Sequence, residues 1–168
     1  MKKDFKKILK NHGHYILYGY AQHDQSCTCK RDDGEADNDC PLCFGTGLYY
    51  RWYKMKTRRY ENSSTGSSVQ GEKQGASDLL SISSVSFQYY LLPELNYAEN
   101  DLIIEYQQEY LHGNTLSPDV FLVKNALPRE GEGEIVYYHA LADKKFANKK
   151  QVQGFIDRLS FGEVEVIE

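Results

Sequence analysis

The chemistry this chain could do is concentrated in its cysteines. All four lie between positions 27 and 43, as Cys27-Thr28-Cys29 and, ten residues on, Cys40-Pro41-Leu42-Cys43-Phe44-Gly45-Thr46-Gly47. Two close pairs separated by a polar loop are what a tetrahedral metal site needs: each pair holds one side of the ion, and the loop closes the other. Four thiolates select a soft or borderline cation, and a closed four-sulfur set reads first as one structural zinc held by Cys27, Cys29, Cys40 and Cys43. Pro41 stiffens the turn, while Gly45 and Gly47 permit the positive φ of a tight loop. A disulfide within either pair would close a short, strained ring, whereas cross-pair disulfides would suit an extracellular chain. A redox C-x-x-C belongs between a strand and a helix, but a turn into the aromatic run 48–53 follows here. The spacing matches no ferredoxin cluster. His23, four residues before Cys27, is a substitute ligand that a complete thiolate set does not need.

A second set of residues suggests binding. Basic and aromatic side chains interleave over 48–60, where Trp52, Lys54, Lys56, Arg58 and Arg59 could contact a partner or single-stranded nucleic acid by stacking and phosphate pairing. The competing reading is a strand with a basic solvent face. Residues 30–39, between the cysteine pairs, form an acidic loop without the ligand order of a calcium-binding loop. No nucleophile elbow, phosphate-binding loop, dinucleotide fingerprint, zinc-protease helix or zinc-deaminase pattern occurs, so no enzyme is expected.

These residues need a scaffold, and 168 residues supply one domain with a real core. The formal net charge of -4 gives no global signature of a nucleic-acid binder. No apolar run is long enough for a membrane helix, and the basic start lacks a signal-peptide core, so a reducing cytoplasm is expected and a membrane partner is not. The 14 tyrosines point to strands and contact surfaces, since each ring carries a large apolar area and a polar tip.

The expected fold class is mainly β, a β-barrel or sandwich-like domain with a small zinc-knuckle module and one or two short helices. We divide the chain into an N-terminal helix or arm (1–13), a zinc-binding module (14–53) and a β-rich domain (54–168) with a long Ser/Gly/Gln-rich loop at 61–78. Phe5, Ile8 and Leu9 have helical spacing over 4–11, too short to stand alone. Strands are expected at 14–20, 48–60, 79–92, 102–106, 119–124 and 134–139. Gly19 marks a bulge or a close backbone approach. The turn-rich stretch 127–133 suits a hairpin. Val152, Phe155, Ile156 and Leu159 predict a helix within 143–159, although Gly154 disfavours it. A short amphipathic strand at 161–168 could lie at an edge or pair with another subunit.

The eight residues from Cys40 to Gly47 resemble the C-x-x-C-x-G-x-G unit of the DnaJ-type cysteine-rich domain, which implies a local zinc knuckle. The wider arrangement over 14–53 runs from an aromatic lead through a C-x-C pair and an acidic loop to C-x-x-C-x-G-T-G and an aromatic strand. It resembles small zinc-binding structural proteins of tailed bacteriophages. That resemblance implies a virion component, assembled in the host cytoplasm, that forms a homo-oligomeric ring joining other virion structural proteins at the head–tail neck or the tail and baseplate. The alternatives are a zinc-containing nucleic-acid-binding protein and an adaptor that recognises client peptides.

Overall fold

The computed structural model describes residues 1–62, 86–105, 119–159 and 164–167. Its strands are β1 (His14–Ser26), β2 (Leu48–Asn62), β3 (Ser86–Leu91), β4 (Leu102–Glu105), β5 (Asp119–Gly131), β6 (Glu134–Lys145) and β7 (Glu165–Ile167). Its helices are α1 (Lys2–His12) and α2 (Lys149–Leu159). Six strands close a barrel in the order β1-β4-β5-β6-β3-β2, with β2 returning to β1, and every pairing round the barrel is antiparallel. The chain is therefore mainly β with a barrel, two short helices and a cysteine cluster. Closure leaves none of the six with a fully open edge. Segments 14–26 and 48–53, grouped with the cysteines on sequence grounds, are also barrel wall.

Strand alternation sorts the side chains into two cores. Ile16, Tyr18, Met55, Phe87, Tyr89, Leu91, Ile103, Phe121 and Ala140 fill the barrel interior. Leu17, Ala21, Tyr50, Leu102, Ile104 and Val120 face outward from the same wall and pack under Cys27, Cys40, Cys43, Phe44, Val152 and Phe155. The second core thus lies between the barrel and a lid made of the cysteine loop and α2.

The polar ends of the interior are closed by hydrogen bonds. Tyr97, in the β3–β4 connection, stands edge-on to Tyr18 and Tyr138 and donates its hydroxyl to Leu92 O. Asp101 accepts from Tyr18 Oη (2.6 Å), Ala21 N (2.8 Å) and Ala98 N (2.9 Å). Burial pushes the Asp101 carboxyl up, against the lowering effect of these three donors. At the opposite mouth Glu105 takes Arg59 Nη1 (2.5 Å), Tyr89 Oη (3.1 Å) and His14 Nε2 (3.2 Å).

Several expected boundaries move. β1 runs on to Ser26, because pairing with β2 continues through a bulge between Gln22 and Ser26. The stretch 127–133 is mostly strand, and the turn is only Glu132 and Gly133, both with positive φ (56° and 81°), as a two-residue primed hairpin requires. Pro128 is tolerated because β4 and the turn before it pair with β5 only as far as Val123, so no strand among the described residues pairs with that flank at Pro128. The helix expected within 143–159 begins only at Lys149, since β6 extends to Lys145. Gly154 suits α2 after all: a Cβ there would lie 3.2 Å from the Pro41 ring, so its absence lets the helix approach the cysteine loop.

α1 docks on its own barrel. Leu9 is buried, Phe5 stacks on Tyr137 (4.8 Å between centroids), Lys6 pairs with Glu94 (2.7 Å) and Gly13 N–H closes the helix on Leu9 O (2.8 Å). β7 joins β2 as a parallel partner at Tyr53, Lys54 and Met55, so the terminal strand is seated within the chain. The 61–78 loop falls outside the described residues from position 63, as does the start of the 79–92 strand. Among the described residues, no helix is long and apolar enough to cross a membrane.

Candidate metal centre

The cysteines sit at the root of the β1–β2 hairpin. Ser26 ends β1 and is paired in register with Leu48, the first residue of β2, so Cys27 and Gly47 face each other across the closing pair. Cys27 N–H donates to Gly47 O (2.9 Å), and Lys30 N–H turns back to Cys27 O (3.0 Å). The acidic loop is held by its own short side chains: Asp33 Oδ1 accepts from Glu35 N (2.9 Å), and Asp37 Oδ1 from Asp39 N (3.0 Å). Cys40 then opens a tight turn, with Phe44 N–H donating to Cys40 O (3.0 Å) and Thr46 N–H to Cys43 O (3.1 Å). Gly45 has φ 80°, and a Cβ there would meet Asn38 Cα at 3.2 Å, so conformation and space both call for glycine.

This folding brings four sulfurs together. Cys27 Sγ and Cys40 Sγ are 3.8 Å apart, Cys29 Sγ and Cys43 Sγ 3.4 Å, and all four lie within 4.8 Å of one another. A tetrahedral ion with sulfur bonds of about 2.3 Å sets its ligands about 3.8 Å apart. The four thiols are free, so the donor set fits a metal ion without rearrangement of the chain. Burial pushes the thiols of Cys27, Cys29 and Cys43 up. Burial acts on Cys40 in the same sense, but the amides of Cys43 and Leu42, together with hydrogen bonds from the Cys29 and Cys27 thiols, bring that thiol below its usual range. A bound cation would offset the cost of holding four thiolates together, three of them buried.

The lid over this site is built from residues far away in sequence. Asn148 and Gln151 form a reciprocal cap at the start of α2, each accepting the other's backbone N–H (3.0 and 2.8 Å). The same two side chains reach the loop: Gln151 Nε2 donates to Asn38 O (2.7 Å) and Asn148 Nδ2 to Asp39 Oδ1 (3.0 Å). Phe155 packs on Trp52 (4.4 Å between centroids) and edge-on to Phe44 (5.8 Å). Trp52 lies over Gly19, where any Cβ would sit 2.7 Å from the indole, so the close approach expected at Gly19 has a definite cause. The sequence signals for this lid were the Asn148-x-x-Gln151 spacing and the Val152/Phe155 pair; what they cap could not be read from them.

The five residues singled out for partner contact do not share a surface. Lys54, Lys56 and Arg58 point outward from β2, flanked by the exposed rings of Tyr15 and Tyr60. Lys54 and Lys56 lie 4.7 and 5.0 Å from the Tyr15 ring, and Arg58 lies 5.3 Å from that of Tyr60. Trp52 is half-buried against the second core, and Arg59 turns the other way to pair with Glu105 over Phe87 and Phe121. The reason is the period of two along β2, which separates 59 from 54, 56 and 58. His23 lies outside the metal-capable group, which among the described residues is the four cysteines.

No family model and no curated protein matches the chain.

Proposed function

We propose that this chain is a structural assembly protein: a β-barrel stapled by one zinc ion, working by contact as a component of a tailed-phage particle at the head–tail neck or the tail and baseplate. The observation that carries the contact reading is the closed donor set. Four cysteines converge on one point, leave no position for a substrate, and are roofed by α2, which suits a metal that holds a surface in shape. Zinc is the cation that best suits four sulfurs in a tetrahedron. The virion assignment is supported by the resemblance over 14–53. Partners in this reading are other virion proteins and further copies of the chain in a ring. Because α1 and β7 pack in cis, the contacts belong to other surfaces.

Two measurements test this. Elemental analysis of the purified chain is expected to give about one zinc per chain; intact thiols without metal would overturn the staple. Mass spectrometry of purified particles is expected to find the chain at a fixed stoichiometry, and particles lacking it would overturn the virion assignment.

A second reading, nucleic-acid contact, is favoured by the outward row Lys54, Lys56 and Arg58 beside Tyr15 and Tyr60. It requires oligonucleotide binding that weakens steeply with salt, and no binding at low salt would remove it.

A further inference from the structure

Phe146 is the most exposed large apolar side chain among the described residues, at 90% of its full accessibility. It stands in the short connection between β6 and α2, within Lys144-Lys145-Phe146-Ala147-Asn148-Lys149-Lys150. The connection is held on both sides. β6 ends in register with β5 through Lys145, and Asn148 caps α2 while bonding Asp39 of the cysteine loop. The ring is therefore presented to solvent from a braced position.

The charges around it are arranged against local convenience. α2 opens with Lys149 and Lys150 and has no acidic residue in its first turn, although the partial positive charge at a helix start favours carboxylates there. Lys144 is paired with Asp119 (2.9 Å), but Lys145, Lys149 and Lys150 have no ion pair among the described residues. On the other side of the Asn148–Asp39 and Gln151–Asn38 hydrogen bonds lies the acidic loop, with Asp32, Asp33, Glu35 and Asp37 exposed. Lys30 and Arg31 lie at its start, so the loop remains net acidic. No ion pair among the described residues joins the two charge sets, although they adjoin.

We propose that this surface binds a second copy of the chain about a two-fold axis, with the lysine set of each copy against the acidic loop of the other and the two Phe146 rings buried on each other near the axis. A patch carrying both signs side by side is self-complementary under a two-fold operation, which makes both contacts at once. The exposed ring then gains an aromatic partner, and the lysines at the start of α2 gain carboxylates. This inference stands independently of the virion assignment.

Sedimentation equilibrium of the full chain with zinc present tests it. A monomer–dimer equilibrium is expected, weakening as salt rises. Phe146→Ser is expected to weaken it at least tenfold; the ring is outside both cores, so the fold is retained. Lys149→Glu with Lys150→Glu is expected to give a monomer, and those changes favour α2 itself, so unfolding does not explain the loss. Asp32→Lys with Glu35→Lys, which spares the Asp33 and Asp37 side chains that hold the loop, is expected to do the same. Mixing the two charge-reversed chains is expected to restore a dimer, because both contacts then join opposite signs. A chain that stays monomeric at low salt, or an association indifferent to Phe146→Ser and to the reversals, overturns the proposal. So does a monomer whose lysines and Phe146 instead bind single-stranded oligonucleotides or anionic vesicles.

Discussion

The two cores of this molecule share a wall but are held by different means. The barrel interior is bounded on every side by hydrogen-bonded strands, and its tyrosines bring their own polar tips to Asp101, Glu105 and Leu92 O. The outer core has a sheet on one side only. Its other side is an irregular loop and an eleven-residue helix, neither stable alone. Strand pairing suffices for the first, while the second needs a cross-link, and that is where the cysteines are. The cysteine cluster, which could hold a metal ion, thus stands where a second sheet is missing.

If that contrast is right, removing the metal should divide the molecule. Cys40→Ser, or chelation, is expected to give the largest effect, since coupled metal binding in isolated zinc fingers is on the order of 10 kcal/mol. Hydrogen exchange should show protection lost over 27–47 and 149–159 and largely kept at Ile103 and Phe121. Uniform loss would mean that the cores melt together and the comparison fails. Phe155→Ala attacks the same core without touching a ligand and is expected to cost about 3–5 kcal/mol. Trp52 is the only tryptophan and lies against Phe155, so its fluorescence should report the change directly.

The interior is tested through Asp101. Asp101→Ala leaves Tyr18 Oη and two amides without their acceptor and is expected to cost about 3 kcal/mol in urea unfolding. Tyr18→Phe removes one donor and should cost less than Asp101→Ala. Equal costs would mean that the backbone amides contribute nothing. Gly19→Ala probes the shared wall: its methyl group would press on the Trp52 ring, and a loss of about 1–3 kcal/mol is expected. Combining it with Trp52→Leu should cost less than the sum of the two single changes.

The smallest expected effect is a pH dependence on the outer wall away from the lid. Burial, helped by Arg129, holds His139 below its usual value beside Tyr90 and Gln88. The folded chain then binds the proton less readily than the unfolded one. Stability from this group is complete above pH 6.5 and falls as pH drops below that value through the depressed one. His139→Gln should flatten that part of the stability profile and leave the rest unchanged.

Much of this was legible in residue order. The alternating aromatic and aliphatic runs marked the strands, and the cysteine spacing identified the cluster, because both signals are local. Strand ends were less legible where pairing overrode turn residues, as at Pro128, and where β6 continued to Lys145. The partner-contact set was legible only in part. The period of two separates Arg59 from Lys54, Lys56 and Arg58, but which face looks outward depends on where the barrel lies.

The sequence by itself determined that four thiols could converge, that the chain is rich in strands, and that short helices would need support. Ligand spacing, side-chain period and chain length act over a few residues. Only the tertiary structure decided that the six strands close, that α2 returns from position 149 to roof Cys40, and that Trp52 is packed over Gly19. Those outcomes depend on contacts between residues some thirty to more than a hundred positions apart, where shape, burial and the pairing of distant polar groups select the arrangement. The cysteine cluster, legible from spacing as a closed four-sulfur set, lies in the folded chain within the outer of the two cores.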